Sequence, residues 1–483
     1  MKSALPKDGR PTAEVLAELR GYGAQDPDYQ GHRLWSLVYY LDEEHEAFMG
    51  QAYQAFSSAN GLNPTAFKSL KQFETEIIAA VAKLFHGGPE TCGVVTSGGT
   101  ESCLLAVKTY RDRARKRGIT QPEMVLPTTA HVAWFKAAEY FSVKPVLLPL
   151  DKSLRADVRR LPRLLNRNTV MVLGSAPAYP HGTIDPIEAM GKLAARMRIP
   201  LHVDACVGGF ILPFMEMNGR TLPLWDYRVP GVTSISADIH KYGFAAKGAS
   251  TISYRNLDYL KHQMFVYTEW PGGVFASPAL LGTRPGGAYA AAWAAMQHFG
   301  EAGYRDLAAR TLEAFDAIRA GIAAMPELYV MGEPAGPLLG FGARDASVNI
   351  FAVGDQMDAK GWGVNRLQRP DGLHAMVTAG HLAVVPQYLA DLREAVDAVK
   401  ANPALAQGGS AATYGMMSHV PLRGMVRGKV LELFAQMYRA GGQQIDLHAP
   451  PPAAPGLRGR IDALAERLGR WYVARQQGRG GRP

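Results

Sequence analysis

Cysteine is scarce in this sequence, with only Cys92, Cys103 and Cys206 among 483 residues. Three thiols at these spacings form neither a disulfide framework nor a zinc ribbon, so we expect reduced, buried cysteines and predict no metal site. A secretory signal is also lacking, because the opening MKSALPKDGRPTAEV contains no apolar core. The longest nearly apolar run, residues 288–296, is well short of the roughly 20 residues that span a bilayer. These absences favour a cytoplasmic protein.

Acidic residues are outnumbered by basic ones, and the formal net charge is +9. Such a charge suits anionic ligands, nucleic acid or an anionic membrane surface and does not choose among them. Part of the excess is local, since residues 458–483 carry seven arginines against two acids. We interpret this segment as a solvated helix and tail that contacts phospholipid headgroups at most transiently. Nucleic-acid binding is not expected, because the sequence has no basic platform with interleaved aromatic residues and no zinc-finger spacing.

Short apolar runs alternate with amphipathic helical stretches in the first half of the chain, beyond the N-terminal helical patterns. This alternation predicts βαβ units, and hence an α/β fold with a large, mostly parallel sheet covered by helices on both faces. Longer helical patterns with short strand candidates follow, which predicts a smaller C-terminal α/β domain. We therefore divide the chain into an N-terminal helical segment, a large domain, a small domain, and a Pro/Ala-rich spacer with the basic tail, at residues 1–60, 61–300, 301–447 and 448–483.

Ligands of parallel α/β sheets bind beyond the carboxyl ends of the strands, so the residues after each apolar run are the candidates for a site. The first run ends in TSGGTES, residues 96–102, and turns directly into a helix. Its glycines let the backbone approach a ligand, and Thr100 with the free N–H groups of the helix start forms an anion cradle. A phosphate fits this cradle, although Gly-Gly-Thr before a helix also serves as simple capping. The segment is not a Walker A phosphate-binding loop, because no Gly-Lys-Ser/Thr follows the glycines.

Three further polar residues stand at predicted strand ends. Asp204 ends the run in PLHVDAC, where a partly buried carboxylate needs a cation or several donors, although a turn or capping aspartate is equally common there. Lys241 follows the next run, in TSISADIHK, where a surface lysine is the ordinary alternative. His131 begins the helix after PTTA, and its ring is either polar surface or a flat group that stacks on a ligand. The parallel sheet places all three at the same edge.

One ligand explains the cradle, the aspartate and the lysine together, namely pyridoxal 5'-phosphate. This cofactor requires a lysine for its Schiff base, an acid beside the pyridine nitrogen, and donors for its phosphate. A carboxylate at Asp204 would pair with the pyridinium and strengthen the ring as an electron sink. Burial near the cationic ring is expected to lower the pKa of Lys241 and to leave part of it as free amine. In this setting we favour His131 as a stacking residue.

Five segments together carry a family resemblance: TSGGTES, GSAPAYPHGTIDP, LHVDACVGGF, SISADIHKYGFAAKG and GTRPGG. In this order and spacing they closely resemble sphingosine-1-phosphate lyases, members of the pyridoxal-phosphate-dependent group II decarboxylase superfamily with the aspartate-aminotransferase type I fold. The similarity extends from about residue 30 to YGM at residues 414–416. It implies retro-aldol cleavage of a phosphorylated long-chain base into phosphoethanolamine and a fatty aldehyde. It also implies a bacterial-type homologue without the N-terminal membrane span of the animal enzymes.

The resemblance assigns roles to individual residues. It implies that Lys241 carries the Schiff base, that Asp204 pairs with the pyridinium and that His131 stacks on the ring. For the cofactor phosphate it implies Gly99, Thr100 and His240 from one subunit and Thr283 from a second. The protein is therefore expected to be an obligate homodimer with shared active sites. Further family counterparts, whose separate roles in proton transfer and pocket lining stay open, are Lys247, Tyr39, Tyr179 and Tyr414.

Two segments depart from the family pattern. Where members of the family usually have N-P-L-H-P for the substrate phosphate, this chain has NGLNP, so that Asn60 remains and Asn63 replaces the histidine. An asparagine still donates a hydrogen bond but carries no charge, so phosphate recognition is either weaker or supplied elsewhere. The chain also has WSLVY where the family has SGAVY, which puts bulk near the mouth of the pocket.

Two other functions compete with the lyase. A pyridoxal-phosphate-dependent L-amino-acid decarboxylase would use the same scaffold and cofactor residues, and only pocket residues separate the two reactions. The YGFAAKG turn and GTRPGG favour the lyase, while Asn63 leaves the decarboxylase open. A non-catalytic protein of this fold that binds membranes through its basic tail is disfavoured, because Lys241, Asp204, His131 and Thr100 are all present.

Overall fold

The computed structural model describes residues 5–409, 411, 414 and 423–440. The predicted spacer and basic tail, residues 448–483, lie outside these described residues, and with them the predicted membrane-surface contact. Among the helices of the described ranges, none is both long enough and apolar enough to cross a membrane.

A seven-stranded sheet forms the centre of the predicted large domain. Its strands are β1 Cys92–Thr96, β2 Glu123–Pro127, β3 Lys144–Leu148, β4 Thr169–Ser175, β5 Leu201–Asp204, β6 Val232–Ala237 and β7 Ser250–Tyr254. They are ordered β1-β7-β6-β5-β4-β2-β3 across the sheet. Strand β7 pairs antiparallel with β1 and β6, and the other neighbouring strands pair parallel. The prediction of a mostly parallel sheet is confirmed.

Helices cover both faces of this sheet, and further helices precede and follow its strands in the sequence. They are α1 Thr12–Gly23, α2 Glu43–Ala55, α3 Lys68–Leu84, α4 Gly99–Arg115, α5 Val132–Phe141, α6 Leu161–Leu164, α7 Ile187–Arg196, α8 Leu212–Met217, α9 Leu257–Leu260, α10 Gly286–Ala323, α11 Ile350–Ala359, α12 Val385–Ala401 and α13 Arg423–Met437, with short 3-10 helices at Ala379–Val384 and Pro403–Gln407. Helices α1 and α2 belong to the predicted N-terminal segment. Helix α2 packs on α10, where the rings of His45 and Phe299 lie 4.9 Å apart.

The central strands β4, β5 and β6 are buried along their whole length, which is why they appear in the sequence as continuous apolar or small-residue runs. Successive side chains of a strand point to opposite faces. Accordingly, Met171 and Leu173 enter a core that includes α4 and α5, whereas Val172 enters the core on the other face with α3 and α7. A cavity opens at the carboxyl ends of these strands, and the site lies there.

A second, smaller sheet lies in the C-terminal part of the chain. After a hairpin of β8 Phe265–Tyr267 and β9 Phe275–Ser277, the strands β10 Leu328–Val330, β11 Leu338–Ala343, β12 Asn365–Leu367 and β13 Gly372–Met376 form an antiparallel sheet ordered β10-β11-β13-β12. Helix α10 connects the two sheets and is interrupted at Gly300, whose φ of 54° and ψ of −168° are not helical. This interruption lies at the predicted boundary between the large and small domains, and the division itself stays a prediction.

Candidate active site

A cavity of about 360 Å³ opens at the carboxyl ends of β1, β2, β4, β5 and β6. Polar residues from five separate chain segments reach it. Of the residues predicted from the sequence, those lining it are Gly99, Thr100, His131, Tyr179, Asp204, His240 and Lys241. Segments that are far apart in the chain therefore converge here, as expected for parallel strands whose carboxyl ends share one edge.

The predicted anion cradle forms one wall of the cavity. The first backbone hydrogen bond of α4 runs from the N–H of Ser102 to the carbonyl of Gly98 (3.1 Å), so the preceding N–H groups at the helix start have no partner within the helix. A Cβ atom on Gly99 would lie 2.8 and 2.9 Å from the carboxylate oxygens of Asp238 and 2.9 Å from Sγ of Cys206. A side chain at this position would force Asp238, Cys206 or the helix start to shift, which explains the glycine. The N–H groups at the start of α4 are the donors that a phosphate group needs.

His240 lies beside this cradle. Its Nδ1 accepts a hydrogen bond from the backbone N–H of Ala249 (3.2 Å), which leaves Nε2 as the nitrogen that carries the proton. Burial lowers the pKa of His240 below its ordinary value. A neutral imidazole that presents one N–H is consistent with the predicted contact to a phosphate.

Asp204 ends β5 and is buried. One carboxylate oxygen accepts a hydrogen bond from Nε1 of Trp134 (2.7 Å), and the other accepts one from the backbone N–H of Cys206 (3.1 Å). Burial alone would raise the pKa of Asp204, but the Trp134 hydrogen bond and the neighbouring His131 outweigh it, and the net shift of the pKa is downward. The cavity therefore presents a buried carboxylate anion, the group that pairs with a protonated ring nitrogen.

Lys241 follows β6, and its Nζ lies 2.8 Å from a carboxylate oxygen of Asp238. Burial alone would lower the pKa of Lys241, but the charge of Asp238 raises it above its ordinary value. The lowered pKa predicted from the sequence is for the amine beside the cationic cofactor ring, and for that state it stays a prediction. Sequence reasoning missed Asp238, although it stands three residues before Lys241 at the end of a buried run.

His131 is the N-cap of α5, where its Nδ1 accepts a hydrogen bond from the backbone N–H of Ala133 (3.3 Å). Its ring is edge-on to that of Tyr179, with the centroids 6.1 Å apart. Desolvation lowers the pKa of His131, so the imidazole is uncharged near neutral pH. The same helix turn carries Trp134, which sequence reasoning also missed. A capping residue and the partner of Asp204 thus come from one turn of α5.

Lys247 and Tyr39 contact each other beside the residues that line the cavity. Nζ of Lys247 donates to the carbonyls of Leu37 (3.1 Å) and His240 (3.4 Å) and lies 5.0 Å from the centroid of the Tyr39 ring. The residue as a whole is exposed, but burial of its amine, together with the charge of Lys241, lowers the pKa of Lys247 to about 8. Burial raises the pKa of Tyr39, which stays protonated. Lys247 is therefore a group that can change its protonation state near neutral pH.

Tyr179 follows β4 and contributes both its ring and its hydroxyl. The ring stacks on His374 with a centroid separation of 4.4 Å, and the hydroxyl accepts a hydrogen bond from Nδ2 of Asn365 (3.2 Å). Because His374 and Asn365 belong to β13 and β12, this tyrosine joins the cavity wall to the small sheet.

The remaining predicted residues do not line the cavity within one chain. Nδ2 of Asn60 donates to the hydroxyl of Thr283 (3.3 Å). The side-chain carbonyl of Asn63 accepts the N–H of Thr65 (3.0 Å) in a local turn. Tyr414 lies 6.0 Å from the ring of Phe351 by centroids, and the guanidinium of Arg366 lies over the ring of Tyr414.

Comparisons with known proteins agree with this geometry. The family model described as "Pyridoxal-dependent decarboxylase conserved domain" matches residues 62–344. A sphingosine-1-phosphate lyase of Oryza sativa is 45% identical over 441 residues, which cover 89% of this chain and 81% of that protein. The structure of a Burkholderia pseudomallei sphingosine-1-phosphate lyase superimposes with a TM-score of 0.81 at 38% identity and covers 89% of this chain and 96% of that one.

The structural similarity extends further at the level of the fold. A glutamate decarboxylase of Lactobacillus brevis superimposes with a TM-score of 0.72 at 21% identity and covers 83% of this chain and 95% of that one. At that identity the likeness shows the fold alone. Together with the family model it confirms the predicted fold class, an α/β fold of the pyridoxal-phosphate-dependent transferase type I.

Proposed function

The chain belongs to the sphingosine-1-phosphate lyases of the pyridoxal-dependent decarboxylase family, and on this basis we propose how its residues perform the reaction of that family. The reaction is cleavage of the C2–C3 bond of sphingosine 1-phosphate, or of a related phosphorylated long-chain base, to phosphoethanolamine and a fatty aldehyde. The observation that carries the residue assignments is that Lys241 and Asp204 open into the same cavity. The rival L-amino-acid decarboxylases are related to this chain only distantly.

The family confirms pyridoxal 5'-phosphate as the cofactor. When bound, pyridoxal phosphate accepts the electron pair that is released as a bond to the substrate carbon breaks. In our assignment Lys241 holds the cofactor covalently and Asp204 holds a proton on its ring nitrogen. His131 would stack on the ring. Donors for the phosphate come from the start of α4, at Gly99 and Thr100, and from Nε2 of His240.

Cleavage moves one proton from the C3 hydroxyl to C2, so that C3 becomes an aldehyde carbon. We assign removal of the hydroxyl proton to Lys247, because its pKa of about 8 leaves part of it as free amine near neutral pH. Tyr39 remains protonated beneath that amine and positions it. Tyr179 borders the same cavity, where its hydroxyl is held by Asn365 and can orient the substrate. Tyr414 packs against the core around the small sheet and does not line this cavity, so we assign it no part in these steps.

We further propose an obligate homodimer in which each site is completed by a second copy. Thr283 and Asn60 are hydrogen-bonded to each other, and neither lines the cavity of its own chain. Asn63 follows Asn60 by three residues and does not line that cavity either. The hairpin that precedes Thr283 exposes large apolar side chains, including Phe265 at 54% and Trp270 at 55% exposure. Exposed apolar surface of this kind is typical of a subunit interface. In the dimer Thr283 would reach the partner's cofactor phosphate, and Asn60 and Asn63 the substrate phosphate.

The reaction is tested by incubating the purified protein with sphingosine 1-phosphate and measuring long-chain aldehyde and phosphoethanolamine. We expect both products in equal amounts, and neither from Lys241→Ala. The wild-type protein should be yellow and should lose its colour irreversibly with borohydride, whereas Lys241→Ala should show no such trapping. Release of carbon dioxide from an amino acid, without release of aldehyde from the lipid, would show that the protein is the decarboxylase and not the lyase.

Shared sites are tested by mixing two inactive variants. Lys241→Ala and Thr283→Asp damage different parts of one composite site, so a mixed dimer contains one intact site and one doubly damaged site. Random exchange of subunits should restore about a quarter of wild-type activity. If each site is built from a single chain, the mixture will show only the average of the two variants.

The cytoplasmic location and the membrane contact are parts of the same proposal. All three cysteines are free thiols, as is usual in a reducing compartment. Contact with the membrane surface would come from the arginine-rich segment at residues 458–483, outside the described residues. Sedimentation with anionic vesicles, compared between the full chain and a chain ending at residue 447, tests it. Equal sedimentation of the two would contradict it.

A further inference from the structure

Two of the three cysteines meet at the base of the active-site cavity, although 102 sequence positions lie between them. Cys103 is in the second turn of α4, and Cys206 follows β5 by two residues. Their sulfur atoms and a carboxylate oxygen of Asp204 all lie within 4.8 Å of one another, and all three residues are buried. All three also line the cavity, so a small ion can reach them. Cysteine count and spacing did not predict this cluster, because only the fold brings its members together.

The ligand set has the chemistry of a site for a thiophilic divalent cation. Two sulfurs bound to one zinc ion at about 2.3 Å lie roughly 3.8 Å apart. This distance is compatible with the upper limit of 4.8 Å on the separations of the three ligand atoms. Two thiolates and one carboxylate favour zinc over magnesium or calcium, which prefer oxygen ligands. Three protein ligands with an open fourth position are characteristic of zinc sites that face a cavity.

The surroundings also suit an ion. Trp134 donates to one oxygen of Asp204 and fixes the orientation of the carboxylate, as outer partners of metal ligands commonly do. Sγ of Cys206 donates to the hydroxyl of Ser236 at 3.3 Å, a contact that holds the thiol in place. The ammonium of Lys241 lines the same cavity, but it is paired with Asp238 at 2.8 Å and therefore opposes a bound metal ion less than an unpaired ammonium would.

We propose that Cys103, Cys206 and Asp204 bind Zn²⁺ in the cofactor-free enzyme, with water in the fourth position, and that bound metal blocks loading of the cofactor. Binding releases the two thiol protons to the solvent. The block rests on the proposed function, because it follows from the assignment of Asp204 to the cofactor ring nitrogen. A metal ion bound to Asp204 would place a second positive charge beside the pyridinium and would use the negative charge that stabilises it, so the two compete for this carboxylate. Metal binding itself does not depend on that assignment.

The metal site is tested on the full-length protein after removal of its cofactor, with Co²⁺ as a spectroscopic probe. We expect a thiolate-to-cobalt charge-transfer band that saturates at one equivalent and is abolished by Zn²⁺. Cys103→Ser and Cys206→Ser should each remove most of the band. Cys92→Ser is the matched control, because this third cysteine lies on β1 outside the cluster and should leave the band unchanged.

Absence of the band in the wild-type protein, or its persistence in both cluster variants, would overturn the metal site. Circular dichroism and thermal unfolding of the two serine variants establish that a lost band does not result from unfolding. Because each substitution replaces sulfur with oxygen at a buried position of similar size, we expect both variants to fold.

The competition is tested by following cofactor absorbance as the cofactor-free protein is reloaded, with and without one equivalent of Zn²⁺. Zinc should slow loading at least tenfold in the wild-type protein and in Cys92→Ser, and should have no effect on Cys103→Ser. If the cobalt band is present but zinc does not slow loading, the competition is overturned and the role of Asp204 in cofactor binding falls with it. A protein that binds cobalt as expected yet releases no aldehyde from the lipid would refute the lyase reaction alone.

Discussion

Nζ of Lys241 lies 2.8 Å from a carboxylate oxygen of Asp238, a residue that is almost completely buried. The pair holds Lys241 as an ammonium, because the charge of Asp238 outweighs the burial that would otherwise lower the pKa of the lysine. Attachment of the cofactor needs the free amine. The cofactor-free enzyme is therefore held in a protonation state that must change before the cofactor can be bound covalently.

Asp238→Asn should accelerate covalent attachment of pyridoxal phosphate at neutral pH. Without the carboxylate, burial lowers the pKa of Lys241, and each unit of decrease raises the free-amine fraction about tenfold. The rate is measured as the rise of cofactor absorbance after mixing with the cofactor-free protein. Asp226→Asn is the control, since Asp226 is equally buried but paired with Arg228 away from the cavity. Attachment slower than in the wild-type protein would show that Asp238 assists the step.

Lys247 should give the reaction a pH dependence. The pKa of Lys247 is about 8. Below pH 8 the fraction of free amine therefore increases about tenfold with each unit of pH, and above pH 8 it levels off. We therefore expect kcat/KM to increase with pH up to about 8 and then to reach a plateau. Lys247→Arg should remove this rise together with most of the activity, because a guanidinium stays protonated throughout the range.

Tyr39→Phe is the control for this profile. It keeps the aromatic ring beneath Lys247, and the hydroxyl that it removes remains protonated over the whole range because burial raises its pKa. The rise towards pH 8 should therefore persist in Tyr39→Phe, at a lower rate. An unchanged rise in Lys247→Arg would exclude Lys247 as its source.

The sequence predicted the residues at the strand ends better than it predicted their partners. Asp204, Lys241 and His131 could be identified because the carboxyl ends of parallel strands share one edge of the sheet, whatever the details of packing. Trp134 and Asp238 could not, because their roles depend on which side of a helix or turn a side chain faces. Both appeared in the sequence as ordinary members of a buried helix and a buried run.

The same limit applies where the site extends beyond one chain. Thr283 and Asn60 were assigned by resemblance, and in the structure they contact each other rather than the cavity. Tyr414, assigned in the same way, packs against the core around the small sheet. No pattern within one sequence distinguishes a residue that serves its own site from one that serves a partner's, because both follow from the same local motif.

Trp134→Phe should lower both the stability of the protein and its affinity for the cofactor, because it removes a hydrogen bond to Asp204. It leaves a buried carboxylate oxygen without its side-chain donor, at a cost of about 1 to 3 kcal/mol in the free energy of unfolding. It should also raise the pKa of Asp204 and lower the affinity for the cofactor. Trp225→Phe is a matched control, because Trp225 is fully buried while its Nε1 has no hydrogen-bond partner. Denaturant unfolding and cofactor titration of both variants measure the difference, and equal losses would assign the effect to packing.

Gly99→Ala tests the anion cradle itself. The new methyl group would lie 2.8 to 2.9 Å from the oxygens of Asp238 and from Sγ of Cys206, closer than carbon contacts are found, so these buried side chains or the start of α4 must shift. Overpacking of this kind costs about 1 to 3 kcal/mol, and we expect a displaced helix start to bind phosphate less well.

The matched control is Gly50→Ala, within α2, where a Cβ meets nothing within 4 Å. That substitution should instead stabilise the protein by about 0.5 to 1 kcal/mol, because alanine favours a helix over glycine. Thermal unfolding and titration with inorganic phosphate distinguish the two variants. Normal phosphate affinity in Gly99→Ala would mean that the anion is held by His240 and the partner subunit rather than by the start of α4.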